Sequence, residues 1–85
     1  MGELFMSTLE AVKQRIYELC AERKITINKL SSESGLSRSS LKNILYGKSK
    51  YPGIVTIKIL CDGLGITLSH FFSTDDFNNL SQEIK

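Results

Sequence analysis

Apolar side chains recur at three- and four-residue steps near the start of the chain. Leu9, Val12, Ile16, Leu19 and Cys20 fall on one stripe, and the spacing predicts a helix over 8–23. Ser7 or Thr8 is the candidate N-cap. Glu10 in the first turn and Arg23 and Lys24 at the far end carry the charges that the helix dipole favours there. A second, shorter helix is expected after Thr26, with Ile27, Leu30 and Ser31 on one face, stopping at Gly35, which takes positive φ without a Cβ penalty. Leu36 then turns inward. Ser37 caps a third helix with Leu41, Ile44 and Leu45 on its inner side, ending at Gly47. Lys48 to Gly53 forms a polar loop around the single Pro52, which disfavours helix in Tyr51 before it. A fourth helix runs over 54–64 with Ile57, Leu60, Cys61 and Leu64 inward, closed by Gly63 and Gly65. Thr67 caps a short fifth, whose Leu68, Phe71 and Phe72 seal the core. From Ser73 to Lys85 the pattern weakens, although Phe77, Leu80 and Ile84 could line up as a helical stripe. No period-two strand pattern, internal repeat or interdomain linker is present.

The picture is therefore all-α, and 85 residues make one small domain. A chain that is 41% hydrophobic and 24% charged is not disordered by composition. No apolar run approaches the ~18 residues of a membrane span, and Met1 to Met6 lacks a basic flank and a long apolar segment, so no signal peptide is expected. A cytoplasmic protein is the resulting expectation. One His, two Cys and no Trp leave little material for chemistry. Cys20 and Cys61 sit on apolar stripes without ligand spacing and are expected to be buried, reduced hydrophobes. His70 reads as a solvated surface residue, and Asp75-Asp76 as a helix-start or tail cluster. No catalytic residue, metal or cofactor is expected.

Charge alters this bland outline. The net charge is +2, but the segment from Arg23 to Lys58 holds eight basic residues against Glu33 alone and is +7, while the remainder is −5. A basic centre between acidic flanks suggests a polyanion partner on one side of the molecule.

Ile27 to Tyr46 gives that suggestion a geometry. Two short helices meet through a tight glycine turn, with Leu30, Leu36, Leu41 and Ile44 inward. Ser31 is small enough for the two helices to approach, and Gly35 sits where the chain turns. This is the helix-turn-helix pattern, in which the second helix of the pair enters a DNA major groove. The features Leu30, Ser34-Gly35-Leu36-Ser37, Leu41, Ile44, Gly47-Lys48, Pro52, Thr56, Leu60, Leu64-Gly65-Ile66 and Phe71-Phe72 resemble the Xre family of phage and bacterial repressors, relatives of the lambda Cro and cI DNA-binding domains. The resemblance covers about residues 8–72, flanked by an N-terminal tail over 1–7 and a C-terminal tail over 73–85. It implies a five-helix lambda-repressor-like domain, with room for a short extra helix at the C-terminus. It further implies a transcriptional regulator, a repressor that binds a pseudo-palindromic operator in double-stranded DNA as a homodimer. The family often has Gln at the position of Ile27, Ala at that of Ser31 and, in many relatives, Glu at that of His70.

Within the third helix, Arg38, Ser39, Lys42 and Asn43 fall on the side opposite Leu41, Ile44 and Leu45. Arg38 and Asn43 are the expected base readers, since Arg can bond guanine O6 and N7 and Asn can bond adenine N6 and N7, with Ser39 and Lys42 assisting. In an unknown fold Arg38 would read only as a solvated charge at a helix start. Phosphate contacts are expected from Asn28, Ser37, Ser40, Lys48, Lys50 and Tyr51, although the Tyr51 ring could equally pack on its own loop. Lys29 and Lys58 would add field without contact. Two recognition helices must reach grooves about 34 Å apart, and Phe77, Leu80 and Ile84 are the expected dimer contacts. The alternative is an antitoxin or other interaction module on the same fold, whose tail covers a protein partner.

Overall fold

The computed structural model describes residues 6–84. Helices run over Thr8–Arg23 (α1), Ile27–Ser34 (α2), Arg38–Leu45 (α3), Ile54–Leu64 (α4) and Leu68–Phe71 (α5), followed by a 3₁₀ turn at Asp75–Asn78. Four of the five helices start where a side-chain hydroxyl accepts an otherwise unpaired N–H: Ser7 from Glu10 at 3.1 Å, Thr26 from Lys29 at 3.0 Å, Ser37 from Ser40 at 3.1 Å and Thr67 from His70 at 3.0 Å. At α1 the bond is reciprocal, because the Ser7 N–H donates to the Glu10 carboxylate at 3.2 Å and completes a capping box. Helix α4 differs. It starts at Gly53 with no side-chain cap.

The stripes of the five helices converge on one core. Ile16, Leu19, Leu30, Leu41, Leu60, Cys61 and Phe71 are almost wholly removed from solvent, and each buried aliphatic or aromatic side chain of this size contributes ~1.5–3 kcal/mol. Cys20 and Cys61 are free and buried, and burial pushes both thiols up from their ordinary range. Ile27, Leu36, Leu68 and Phe72 pack against the core's edge. Leu9 is only half-buried; Ala11 takes the deeper place in the first turns of α1.

Four features depart from the sequence pattern. Arg15 lies on the inner face of α1 at 5% exposure. Its guanidinium donates to the carbonyls of Phe71 at 2.7 Å and His70 at 2.9 Å, satisfying the end of α5, and ion pairs with Glu18 and Glu22 at 3.6 and 3.9 Å hold its outer edge. Gly63 does not close α4. It lies inside the helix, where a Cβ would stand 2.6 Å from Ser34 Cα, so its missing side chain lets α2 and α4 touch; Gly65, at φ 69°, is the C-cap. Helix α3 ends at Leu45 with Tyr46 as C-cap, and Gly47 continues the turn at φ 85°. Finally, no helical stripe forms over Phe77, Leu80 and Ile84. The Asn79 side chain donates to the Asp75 carbonyl at 3.0 Å and ends the 3₁₀ turn. Phe77 turns inward, its ring 6.1 Å from that of Phe71 and 4.9 Å from that of Phe72. The chain then extends, and Leu80 forms an isolated parallel bridge with Met6, closed by Ser81 N–H to the Met6 carbonyl at 2.9 Å. Ile84 stays 84% exposed. Asp75 starts the turn, as its helix-start reading expects. Among the described residues no helix is long and apolar enough to cross a membrane.

Candidate nucleic-acid interface

The α2–α3 corner is set by hydroxyls as well as by the glycine. Gly35 takes φ 80° and its N–H caps α2 at the Ser31 carbonyl. The Ser31 hydroxyl reaches across the turn and donates to the Leu36 carbonyl at 2.6 Å, while the Leu36 N–H donates to Ser34 Oγ at 3.2 Å. Ser31 therefore contributes a bond that an alanine could not, beyond its small size. With the corner fixed and Leu41, Ile44 and Leu45 sunk in the core, the rotation of α3 about its axis is determined.

That rotation leaves Arg38, Ser39, Lys42 and Asn43 exposed. Among the described residues none of these four side chains makes a hydrogen bond or an ion pair. They form a polar ridge of donors and acceptors without internal partners, on a helix that the core holds still. Ser37 and Ser40 are placed beside it but are partly engaged. Ser37 caps the helix and also donates to Ser40 Oγ at 2.9 Å, which leaves the Ser40 proton available. Asn28, near the start of α2, is exposed, as are Lys48, Lys50 and Tyr51 in the α3–α4 loop, the last at 89%. The phenolic ring of Tyr51 is thus largely in water rather than packed over its own loop.

Two readings of the basic residues separate here. Lys29 pairs with Glu33 at 3.0 Å and Lys58 pairs with Asp62, each one helical turn along its own helix. Arg38, Lys42, Lys48 and Lys50 have no acidic partner among the described residues, which puts four unpaired cations on α3 and the loop after it; Arg23 and Lys24 at the end of α1 are also unpaired.

The structure brings Ser49, Thr56 and the start of α4 beside residues expected from the sequence. A small cleft of about 270 Å³ opens between α3 and the start of α4, lined by Ser40, Asn43, Ser49, Tyr51, Gly53 and Thr56. The Ser49 N–H anchors the loop there by donating to the Asn43 carbonyl at 2.8 Å. Because α4 has no side-chain cap, its first N–H groups have no side-chain acceptor at the helix start, an arrangement suited to a phosphate oxygen. The sequence signal was Gly53 in a place where the other helices have Ser or Thr.

A fixed two-helix corner that presents an unpartnered polar ridge and a basic loop defines a helix-turn-helix DNA-binding domain, and the chain belongs to the family of Cro/C1-type domains of this kind, whose profile matches residues 15–76. It is similar to the HTH-type transcriptional repressor RghR of Bacillus subtilis (strain 168), with 36% identity over 58 residues, covering 68% of this chain and 43% of that protein. The chain thus matches less than half the length of that relative. It is also similar to the crystal structure of the prophage Lp1 protein 11, at a TM-score of 0.78 and 32% identity, covering 89% of this chain and 100% of the other.

Proposed function

We propose that this domain represses transcription by binding a pseudo-palindromic operator as a homodimer, with α3 in the major groove. The observation that carries the reading is the ridge of Arg38, Ser39, Lys42 and Asn43, exposed and unpartnered on a helix whose opposite side is anchored by Leu41 and Ile44. Arg38 reads guanine and Asn43 reads adenine through paired hydrogen bonds, and Ser39 and Lys42 assist. Ser40, Lys48, Lys50, Tyr51 and Asn28 hold phosphates on either side, together with the hydroxyls of Ser49 and Thr56 at the uncapped start of α4. Ser37 acts chiefly by fixing the helix start. The similarity to a transcriptional repressor supports repression as the outcome.

Of the residues expected at the dimer contact, Phe77 stacks within its own chain and Leu80 is half-buried, so Ile84 is the one that remains open. Ile54 and Val55, 57% and 70% exposed at the start of α4, offer further apolar surface close to the recognition loop. We place the dimer contact on these residues and Ile84.

Selection from a random DNA library tests the whole reading. The enriched site should be a two-fold repeat with half-sites about one helical turn apart. Arg38→Ala and Asn43→Ala should melt within ~0.5 kcal/mol of the parent, and each should relax preference at one position per half-site by ~1–3 kcal/mol. Unchanged preference at every position in both variants would remove α3 from the reading role.

A further inference from the structure

An open cavity of about 750 Å³ lies between the first turns of α1, the loop after α3 and the returning C-terminal segment. It is away from the α3 ridge: none of Arg38, Ser39, Lys42 or Asn43 lines it. Its lining is mostly apolar, with Leu9, Val12, Pro52, Ile57 and Phe72. Small-molecule sites are typically cavities of ~300–1,000 Å³ with such a lining and a few placed polar groups. Here the placed groups are two ammoniums, those of Lys13 and Lys50, against the single carboxylate of Glu83.

Lys13 is the more informative of the two. It is half-buried, and its Nζ lies close enough to Gly47 that a Cβ there would be 3.9 Å away. The side chain therefore folds over the cavity towards the loop instead of extending into water. Glu10, the acid whose charge Lys13 feels, is bound into the capping box at Ser7, and Lys13 has no ion pair among the described residues. Two cations beside an apolar lining are matched by a molecule with an apolar body and one anionic end.

We propose that this cavity is a binding site for a small organic anion, a compact aliphatic or aromatic body carrying one carboxylate or sulfonate. Lys50 and Tyr51 line it and also belong to the phosphate-contacting loop, so an occupant draws Lys50 away from the duplex and weakens DNA binding. This effector role rests on the DNA reading above; the site itself does not.

The probe is 8-anilinonaphthalene-1-sulfonate, with the neutral N-phenyl-1-naphthylamine as comparator, on the full chain. The sulfonate should bind saturably with one-to-one stoichiometry, raise the Tm, and shift the NMR signals of Leu9, Val12 and Phe72. Lys13→Ala should melt like the parent and bind the sulfonate about three- to tenfold more weakly, with the neutral compound unaffected. Leu9→Trp, which fills the cavity from a half-buried position without adding charge, should abolish binding of both. The proposal is overturned by absence of saturable binding, by unchanged affinity in Lys13→Ala, by equal affinity for the two probes, or by displacement of the probe as protein concentration rises, which would make the cavity a contact between copies. Saturating sulfonate should weaken operator binding about fivefold or more, with the reciprocal effect of operator on the probe. Operator affinity that ignores a bound probe would overturn the effector role, whereas a chain that binds the probe at Lys13 but binds no duplex would overturn the DNA reading and leave the site standing.

Discussion

Arg15 is a cation buried at 5% exposure in a domain with few buried charges, and the energetics show which of its contacts matter. Glu18 and Glu22 are 41% and 63% exposed at the side chain and sit 3.6 and 3.9 Å away, so water screens those pairs and their contribution is small. The bonds to the Phe71 and His70 carbonyls are shorter, charge-assisted and shielded. Arg15→Met keeps the bulk but leaves the Phe71 carbonyl without its donor, while the His70 carbonyl keeps the Ser73 N–H and hydroxyl. It should lower unfolding free energy by ~1–3 kcal/mol in urea titrations. Lys at this position lacks the planar fork and should recover only part of the loss. A loss below ~0.5 kcal/mol would mean that α5 closes without it. Glu10 acts at the opposite, fully exposed extreme. The backbone N–H of Ser7, then its hydroxyl, bind the Glu10 carboxylate and hold it below its ordinary 4.5. A carboxylate lowered in the folded state stabilises fully above its unfolded value, and that contribution is lost as pH falls through the lowered value. Glu10→Gln should therefore melt below the parent at neutral pH, and the two Tm curves should converge in acid. A constant gap across the range would place the effect in helix geometry rather than charge.

At the level of elements, what could be read from the chain alone depended on how far away each residue's partner lies. The helix starts were legible at Thr26, Ser37 and Thr67 because each cap bonds an N–H three residues on, a distance the sequence displays directly. The outward set on α3 was legible for a similar reason, since Leu41, Ile44 and Leu45 fix its inner side by period alone. Arg15 was not, because its acceptors lie 55 and 56 residues away in a helix of four residues. Phe77 was also misplaced by period. A stripe through Leu80 and Ile84 assumes a helix that the Asn79 side chain interrupts, and the aromatic cluster with Phe71 and Phe72 is a tertiary contact with no local sign. Gly63 is the clearest case, since from local pattern it resembles a helix stop. In a free helix Gly63→Ala would gain ~1 kcal/mol of propensity. In this domain the new methyl would meet the Ser34 backbone at 2.6 Å, which cannot give without moving α2. Overpacking of that kind costs ~1–3 kcal/mol, so the variant should have a lower Tm than the parent. Gly53→Ala meets nothing within 4 Å at φ −74° and should lose only the ~0.5–1 kcal/mol by which Ala is the poorer N-cap. A stabilised Gly63→Ala would mean that α2 and α4 sit farther apart than this packing.

Across the whole molecule, the +7 centre is not seven charges available to one partner. Lys29 and Lys58 are each committed to a carboxylate on their own helix, and Arg23 and Lys24 stand at the end of α1. That leaves Arg38, Lys42, Lys48 and Lys50 along α3 and its following loop, exposed and without an acidic partner among the described residues, the side proposed to meet DNA. Each phosphate neutralised releases counterions and contributes about −0.9 to the slope of log K against log salt. With Arg38 and Lys42 on base edges, Lys48 and Lys50 predict a slope of about −1.8 per protomer on duplex DNA, whereas engagement of all eight central cations would give about −7. Measuring affinity for a fixed operator over a range of salt separates the two. Lys48→Ala should flatten the slope by about 0.9 and weaken all sequences alike. Lys29→Ala should leave the slope unchanged, because its charge is already balanced by Glu33 at 3.0 Å. If Lys29→Ala flattens the slope as much as Lys48→Ala does, the α2 pair opens on binding and the duplex reaches across to α2, making the interface wider than α3 and its loop.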